Sequence, residues 1–371
     1  MEKQLAIIDP VGIKSGMNHY NDCLCNSLVQ QGVKPYIYSN YKATHTSIQY
    51  RAFFGRFFSN KLIQLFNLLK ALFQSCLDCK RNHINVVIVH VFSTHHMAFL
   101  TFLFLKLFGL KTITISHDVS SFTNQDNPFY HNLIYNRWSN YIVVHNAYSK
   151  SQLLPLIGKS VHATVRVIKH GAFLDLVDRS VASNEAQQHL ALDPKYKYLL
   201  FFGRLKTTKR LDILLEAMPY IHSNTRLIIA GKPVNGKFDA YQQIIDRLSI
   251  AERVILDIEY ITDAKRDWYF QASDATVLPY EVIFQSGVLI MSMSYGLPVI
   301  ASDIPTFKEL IQHQHNGLLF ESLNPMDLAR KVNDLMDSKT MRLTISNGAI
   351  QTMKNDYSWD DIAKQYKAII D

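Results

Sequence analysis

The sequence predicts an α/β protein of two doubly wound, Rossmann-like domains facing a cleft. Three observations predict it. The chain is 371 residues long, more than one domain usually holds. Short runs that are apolar on both faces alternate with helix-length segments, the pattern of a parallel sheet covered by helices. The alternation occurs twice, on either side of a polar stretch near residues 179–196. Composition is that of an ordered chain, 48% hydrophobic and 19% charged.

In the first half, LAIID (5–9), KPYIYS (34–39), NVVIVHV (85–91), KTITIS (111–116) and YIVVH (141–145) read as strands, and VRVIKHG (165–171) closes the series. In the second, YLLFFG (198–203), RLIIAG (226–231), RVILD (253–257), ATVLP (275–279) and PVIAS (298–302) are strands. Helices are expected around 208–218, 237–249, 263–272, 287–295, 305–312 and 325–337. Tandem sheets of this kind bind ligands at the carboxyl ends of their strands.

Residues 51–74 depart from the plan. Phe54, Phe58, Leu62, Leu65, Phe66, Leu69, Leu72 and Phe73 fall on one helical stripe, punctuated by Arg56, Lys61 and Lys70. The cations argue against spanning a bilayer. A basic amphipathic helix lying on an anionic membrane and a domain helix burying its apolar face both fit. MAFLTFLFLKLFGL (97–110) is too short to cross and reads as a buried helix.

Charge is uneven. Residues 1–180 hold 18 Lys and Arg against 8 Asp and Glu, whereas residues 181–371 hold 21 against 23. A basic domain calls for an anionic partner: nucleic acid, a phospholipid surface or a phosphorylated substrate. No nucleic-acid signature accompanies the charge, so nucleic acid is the weakest of the three. The cysteines pair as Cys23 with Cys25 and Cys76 with Cys79, without a second CxxC or a histidine cluster at zinc spacing. They read as reduced thiols of a cytoplasmic protein, and the opening strand gives no sign of a signal peptide.

The segment Val277–Asp303 carries the chemistry. It reads as a strand, a loop holding Glu281, a Ser286-Gly287 helix entry, then Gly296-Leu297-Pro298 and a second strand. A helix start presents unpaired N–H groups and partial positive charge, a seat for phosphate. An acid just before that seat reaches whatever the phosphate carries, which suggests a nucleotide-sugar site. In GRLKTTKRLDILLEA (203–217), Arg204 and Lys209 bracket a loop after a strand and are placed to neutralise a diphosphate leaving group. Taken alone, two basic residues in a loop are ordinarily just solvated.

The first half offers weaker signals. GIKSG (Gly12–Gly16) follows the first strand, and Asn18 and His19 open the next helix. Such a loop lets donor or acceptor approach the backbone closely, and a plain strand–helix turn fits equally. His117, with Asp118 beside it, ends a strand and is a candidate for holding donor hydroxyls or the reacting centre; a structural histidine is the alternative. His145 and His170 end the next two strands and could line the same crevice. His90, His95 and His96 lie in a strand-to-helix loop, where adjacent histidines rarely bind metal alone.

These segments, taken in order, resemble the family-four glycosyltransferases of GT-B fold. The likeness runs through 203–217, 226–231, HGAF (170–173), GLPVIASD (296–303), NGLLF (316–320), NPMDLARKVNDLM (324–336) and YSWDDIAKQYKAII (357–370). The resemblance implies an acceptor-binding domain over 1–178, a nucleotide-sugar domain over 190–355, and a terminal helix over 356–371 crossing back to the first. It makes Arg204 and Lys209 the diphosphate-binding pair, with Ser286, Gly287 and Val288 offering backbone N–H groups and a hydroxyl. One departure falls on the donor site. The family carries two glutamates with seven residues between them, and here Met291 stands at the second position. Ile283 stands at the first, with Glu281 two residues upstream.

The resemblance implies transfer of a hexose from a UDP- or GDP-linked sugar to a saccharide, with retention and with no metal or other cofactor. His117, Asp118 and Glu281 would be the catalytic group. The implied acceptor is a lipid-linked saccharide in bacterial surface polysaccharide synthesis (O-antigen, capsule or exopolysaccharide), on the inner face of the plasma membrane. A catalytically silent GT-B partner, an inverting transferase and a nucleotide-sugar epimerase are the alternatives.

Overall fold

A computed structural model describes residues 3–12, 16–42, 45–55, 60–119, 126–234 and 238–370. The chain divides into two compact units, residues 1–171 with 357–371, and residues 172–356.

The first unit begins with β1 (Lys3–Ile8), α1 (Asn18–Gln30), β2 (Val33–Tyr38), β3 (Gln49–Arg51), α2 (Lys61–Arg81) and β4 (Val86–Val91). It continues with α3 (His96–Leu107), β5 (Lys111–Ser116), α4 (Pro128–Leu133), β6 (Tyr141–Val144), α5 (Ala147–Leu153) and β7 (Val165–Val167). Its strands form one parallel sheet in the order β3-β2-β1-β4-β5-β6-β7. The Val- and Ile-rich runs are buried on both faces, as in KTITIS, where only Lys111 is exposed.

The second unit holds α6 (Ser183–His189), β8 (Lys197–Phe202), α7 (Leu211–Ala217), β9 (Thr225–Ala230), α8 (Asp239–Arg247), β10 (Val254–Asp257) and α9 (Asp263–Ala272). Then come β11 (Ala275–Leu278), α10 (Gly287–Tyr295), β12 (Val299–Ser302), α11 (Pro305–Lys308), β13 (Leu318–Phe320), α12 (Pro325–Asp337) and α13 (Lys339–Asp356). Its sheet, also parallel, runs β10-β9-β8-β11-β12-β13. In both sheets the chain reverses its winding direction once, between β1 and β4 and between β8 and β11. Those are the switch points where doubly wound folds open a crevice.

The last helix, α14 (Trp359–Ile370), belongs to the first unit. Its apolar face, Trp359, Ile362, Ala363 and Tyr366, enters the core of Leu5, Ile7, Leu24, Leu28, Ile88 and Ile113. The Tyr366 and Tyr20 hydroxyls meet at 2.9 Å. Gly171 makes room for the indole: a Cβ there would lie 2.2 Å from Trp359 Cε2.

Several expectations need correction. The stripe over 51–74 is not one helix. Asn60 caps α2 by accepting from Leu62 N and Ile63 N, so the helix starts at Lys61 and runs to Arg81. Phe54 is buried ahead of it, while Arg56 and Phe58 lie outside the described residues. The polar stretch 179–196 lies within the second unit. It contains α6, and Ala186 and Leu192 join the second unit's core with Tyr198, Leu200, Ile228 and Phe270. The division falls at Gly171/Ala172 instead. The helix expected over 305–312 is the short α11, and β3 and β13, three residues each, were too brief to show periodicity.

Candidate functional site

In the second unit the residues of interest gather at the carboxyl ends of β8 and β11. Gly203 follows β8 with φ +93°, a value that suits glycine, and turns the chain into the loop that holds Lys209. A Cβ at Gly203 would meet Lys209 Nζ at 3.3 Å and Val288 Cγ2 at 3.5 Å, so this lysine and the first turn of α10 converge over the strand end. Lys209 is 7% exposed. Its ammonium donates to Phe202 O at 3.3 Å and sits 5.1 Å from the Tyr280 ring centroid. Among the described residues no carboxylate pairs with it. Burial, reinforced by Lys206 and Arg204, pulls its pKa down to about 7. A buried cation without a counter-charge is costly, and an anionic ligand removes that cost.

Arg204 is exposed beside it, with no ion-pair partner among the described residues. Ser286 caps α10 by accepting from Leu289 N at 3.2 Å, which leaves the amides of Gly287 and Val288 at the open helix end. No atom lies within 4 Å of the place a Gly287 Cβ would take. Lysine, arginine and helix start therefore gather at one corner, and their positive charge and open amides suit an anion.

Glu281 stands next to this corner and is half-exposed. Its amide donates to Thr208 O at 3.0 Å, and its carboxylate accepts from Arg210 Nη1 at 2.9 Å. Arg210 also grips Asp212 and caps α7 in the left-handed conformation, φ +47°. Sequence reasoning missed Arg210 and Tyr280, although each adjoins a residue it singled out. Met291 packs against the core cluster of the unit.

In the first unit His117, His145 and His170 come together around Tyr20, with ring centroids 6.1, 5.8 and 4.9 Å from it. His90, set aside in the metal argument, is the fourth member at 5.3 Å. Its Nδ1 lies 2.8 Å from His117 Nε2, and its Nε2 lies 2.7 Å from Asn21 Oδ1. Asn21 Nδ2 donates to Asp9 Oδ2 at 3.2 Å, and Gly12 N donates to Asp9 Oδ1 at 2.8 Å. His145 Nδ1 and His170 Nδ1 donate to the carbonyls of Ile168 and Gly171, both at 2.9 Å. Burial pushes His90 and His170 down to about 3, His145 to about 4, and His117 well below the usual histidine value. Burial also lifts Asp9 to about 6. All four imidazoles are neutral at pH 7. They serve as fixed hydrogen-bonding groups, not proton reservoirs.

The remaining residues are placed as follows. Asn18 and His19 start α1, and Gly12 and Gly16 flank a loop whose residues 13–15 lie outside the described residues. Gly12, at φ +60°, is pressed against Asn40, so its role is close packing. Asp118 follows His117 and is half-buried. Among the described residues no three His, Cys, Asp or Glu side chains are grouped to hold a metal. A pocket of about 450 Å³ opens at the amino ends of β11 and β12, the opposite edge from Lys209. Its charged groups are already engaged, Arg179 with Ser294 O, Arg342 with Leu335 O and Asp274 with Lys197.

The corner on β8 and β11 lies inside residues 182–352, which match the family model described as glycosyl transferases group 1. This segment is similar to a group 1 glycosyltransferase domain. An uncharacterized glycosyltransferase of Methanocaldococcus jannaschii is 29% identical over 172 residues, 46% of this chain and 43% of that protein. The lipopolysaccharide core biosynthesis mannosyltransferase LpsB of Rhizobium meliloti is 25% identical over 198 residues, 51% of this chain and 56% of LpsB. The chain spans about half the length of the curated relatives it matches. The solved structure of Anabaena HepE, in complex with UDP and glucose, superposes with a TM-score of 0.78 at 16% identity over 99% of both chains. The matched segment and its companion unit thus share the GT-B fold.

Proposed function

We propose that the chain transfers a hexosyl group from a nucleoside-diphosphate sugar to a saccharide, with retention. The observation that carries this is Lys209, a buried cation with no counter-charge among the described residues, aimed with Arg204 and the α10 amides at one strand-end corner. Such a corner neutralises the diphosphate as the glycosidic bond breaks. Glu281, held by Arg210 next to the corner, is placed to accept hydrogen bonds from the sugar hydroxyls. The Anabaena complexes with UDP and UDP-glucose support a nucleotide-sugar donor for this fold.

The acceptor we propose is a lipid-linked saccharide of bacterial surface polysaccharide synthesis, met on the inner face of the plasma membrane. The relation to LpsB supports the pathway class. Helix α2 supports the membrane: Leu62, Phe66 and Phe73 are 77%, 67% and 49% exposed. Between Asp22 and Asp118 the sequence has ten Lys and Arg and one acid, Asp78. An exposed apolar stripe in a basic setting suits an anionic interface. No helix among the described residues is long and apolar enough to cross a membrane.

Thermal unfolding with UDP, GDP, ADP and CMP tests the donor site. Ligand at 100-fold its Kd adds about 2.7 kcal/mol. The expected result is a stabilising shift with one nucleoside diphosphate, lost in Arg204→Ala. The absence of any shift overturns the donor assignment. Co-sedimentation with anionic vesicles, reversed by high salt, tests the membrane part; equal binding to neutral vesicles overturns it.

A further inference from the structure

We infer that Asp9, Asn21 and His90 are positioning residues that lock His117 in one tautomer, with its Nε2 proton turned inward and its Nδ1 lone pair left for a substrate hydroxyl. The hydrogen-bond chain is fixed from its buried end. An ionised carboxylate only accepts, so Asp9 Oδ2 must receive the proton on Asn21 Nδ2. That fixes the amide, and Asn21 Oδ1 then faces His90 Nε2 as an acceptor. His90 therefore carries its proton on Nε2. Its Nδ1 is bare and accepts from His117 Nε2–H across 2.8 Å. A neutral imidazole bears one proton, so Nδ1 of His117 is the acceptor.

The rest of the cluster holds the ring in place. Phe92 stacks on His117 with centroids 4.5 Å apart, and the His117 amide donates to Val91 O. His145 and His170 spend their protons on backbone carbonyls and offer none to His117. A ligand atom at Nδ1 must then be a donor. A sugar hydroxyl fits, whereas a phosphate oxygen, an acceptor, meets a lone pair and is repelled. The chain thus assigns His117 to the sugar or acceptor hydroxyls and excludes it from the diphosphate. Its catalytic consequence rests on the transferase reading above; the tautomer does not.

The test is a long-range 1H–15N correlation spectrum of protein labelled with 15N-histidine at pH 7.5, with His117 identified by its loss in His117→Gln. The expected pattern is a protonated Nε2 and a bare Nδ1 for His117 in the wild type, without any ligand. A protonated Nδ1 overturns the inference. In Asn21→Leu the pattern should change to a mixture of tautomers, and turnover should fall roughly 10- to 100-fold, the range for removing a partner that orients a functional imidazole. Nucleotide binding at the other unit should be unchanged. An unaltered tautomer in folded Asn21→Leu also overturns it. If the tautomer is as assigned but no nucleotide binds, the transferase reading fails and the locked imidazole stands.

Discussion

Replacing Lys209 with methionine should make the protein more stable while abolishing donor binding. The lysine is held near a pKa of about 7 by burial, against roughly 10.4 for a free side chain. Between those values the unfolded chain binds more protons than the folded one, so wild-type stability rises with pH across this window. At pH 7 the mismatch costs about 4 kcal/mol, and at pH 9 about 2 kcal/mol. Methionine removes that cost. It also forfeits the bond to Phe202 O, worth about 1 kcal/mol, and the contact with the Tyr280 ring, worth up to about 1 kcal/mol. The net gain is about 2 kcal/mol at pH 7 and near zero at pH 9. Urea unfolding followed by Trp268 emission measures it, with Trp138 and Trp359 changed to Phe in parent and variant alike. A variant no more stable than its parent at pH 7, or a gain that does not shrink at pH 9, refutes the claim that Lys209 is a strained cation kept for an anion.

Three further outcomes follow from the same geometry. Donor affinity should weaken as pH rises, approaching tenfold between pH 7.5 and 8.5 by calorimetric titration, because only the ammonium form of Lys209 neutralises the diphosphate. The first unit should be acid-sensitive: four imidazoles lie folded and neutral, so each unfolded-state histidine that protonates draws the equilibrium toward unfolding. At pH 5.5, one unit below the ordinary histidine pKa, that amounts to about 1.4 kcal/mol per ring, and urea curves at pH 7.5 and 5.5 should differ by about 5 kcal/mol. Equal midpoints would show that the rings are solvated. Gly231→Ala should destabilise the second unit by about 3 kcal/mol in thermal melts, since φ is +152° and the new Cβ would lie 2.0 Å from Gly203 O.

Much of this fold is legible in the sequence because its strands are buried on both faces. YLLFFG is a continuous apolar run, and KTITIS buries its threonines on one face as fully as its isoleucines on the other. Edge strands carry no such mark: Gln49–Arg51 is half-exposed along its length and reads as loop. At the site, Lys209 was recognisable from its place after a strand, but its burial was not, because it depends on Tyr280 arriving from a segment seventy residues later. Arg210 was obscured for a different reason. Its left-handed backbone is one that glycine usually supplies, and the ion pairs with Asp212 and Glu281 account for an arginine there. The grouping of His90, His117, His145 and His170 follows from sheet order, which places the ends of β4, β5, β6 and β7 side by side. Spacing along the chain gives no hint of it.

The ownership of α14 has a consequence for biosynthesis. The first unit is begun at residue 3 and finished only by residues 357–370, after the whole second unit has been translated. Until then the ribosome holds out a sheet whose helix-covered face is missing Trp359, Ile362 and Tyr366, and the Tyr20 hydroxyl has no phenol to meet. The second unit, unbroken in sequence, has no such wait and is free to fold first. The order of synthesis and the order of completion therefore run in opposite directions along this chain. A nascent chain stalled short of residue 357 would present the apolar seat of α14 to whatever chaperone is at hand.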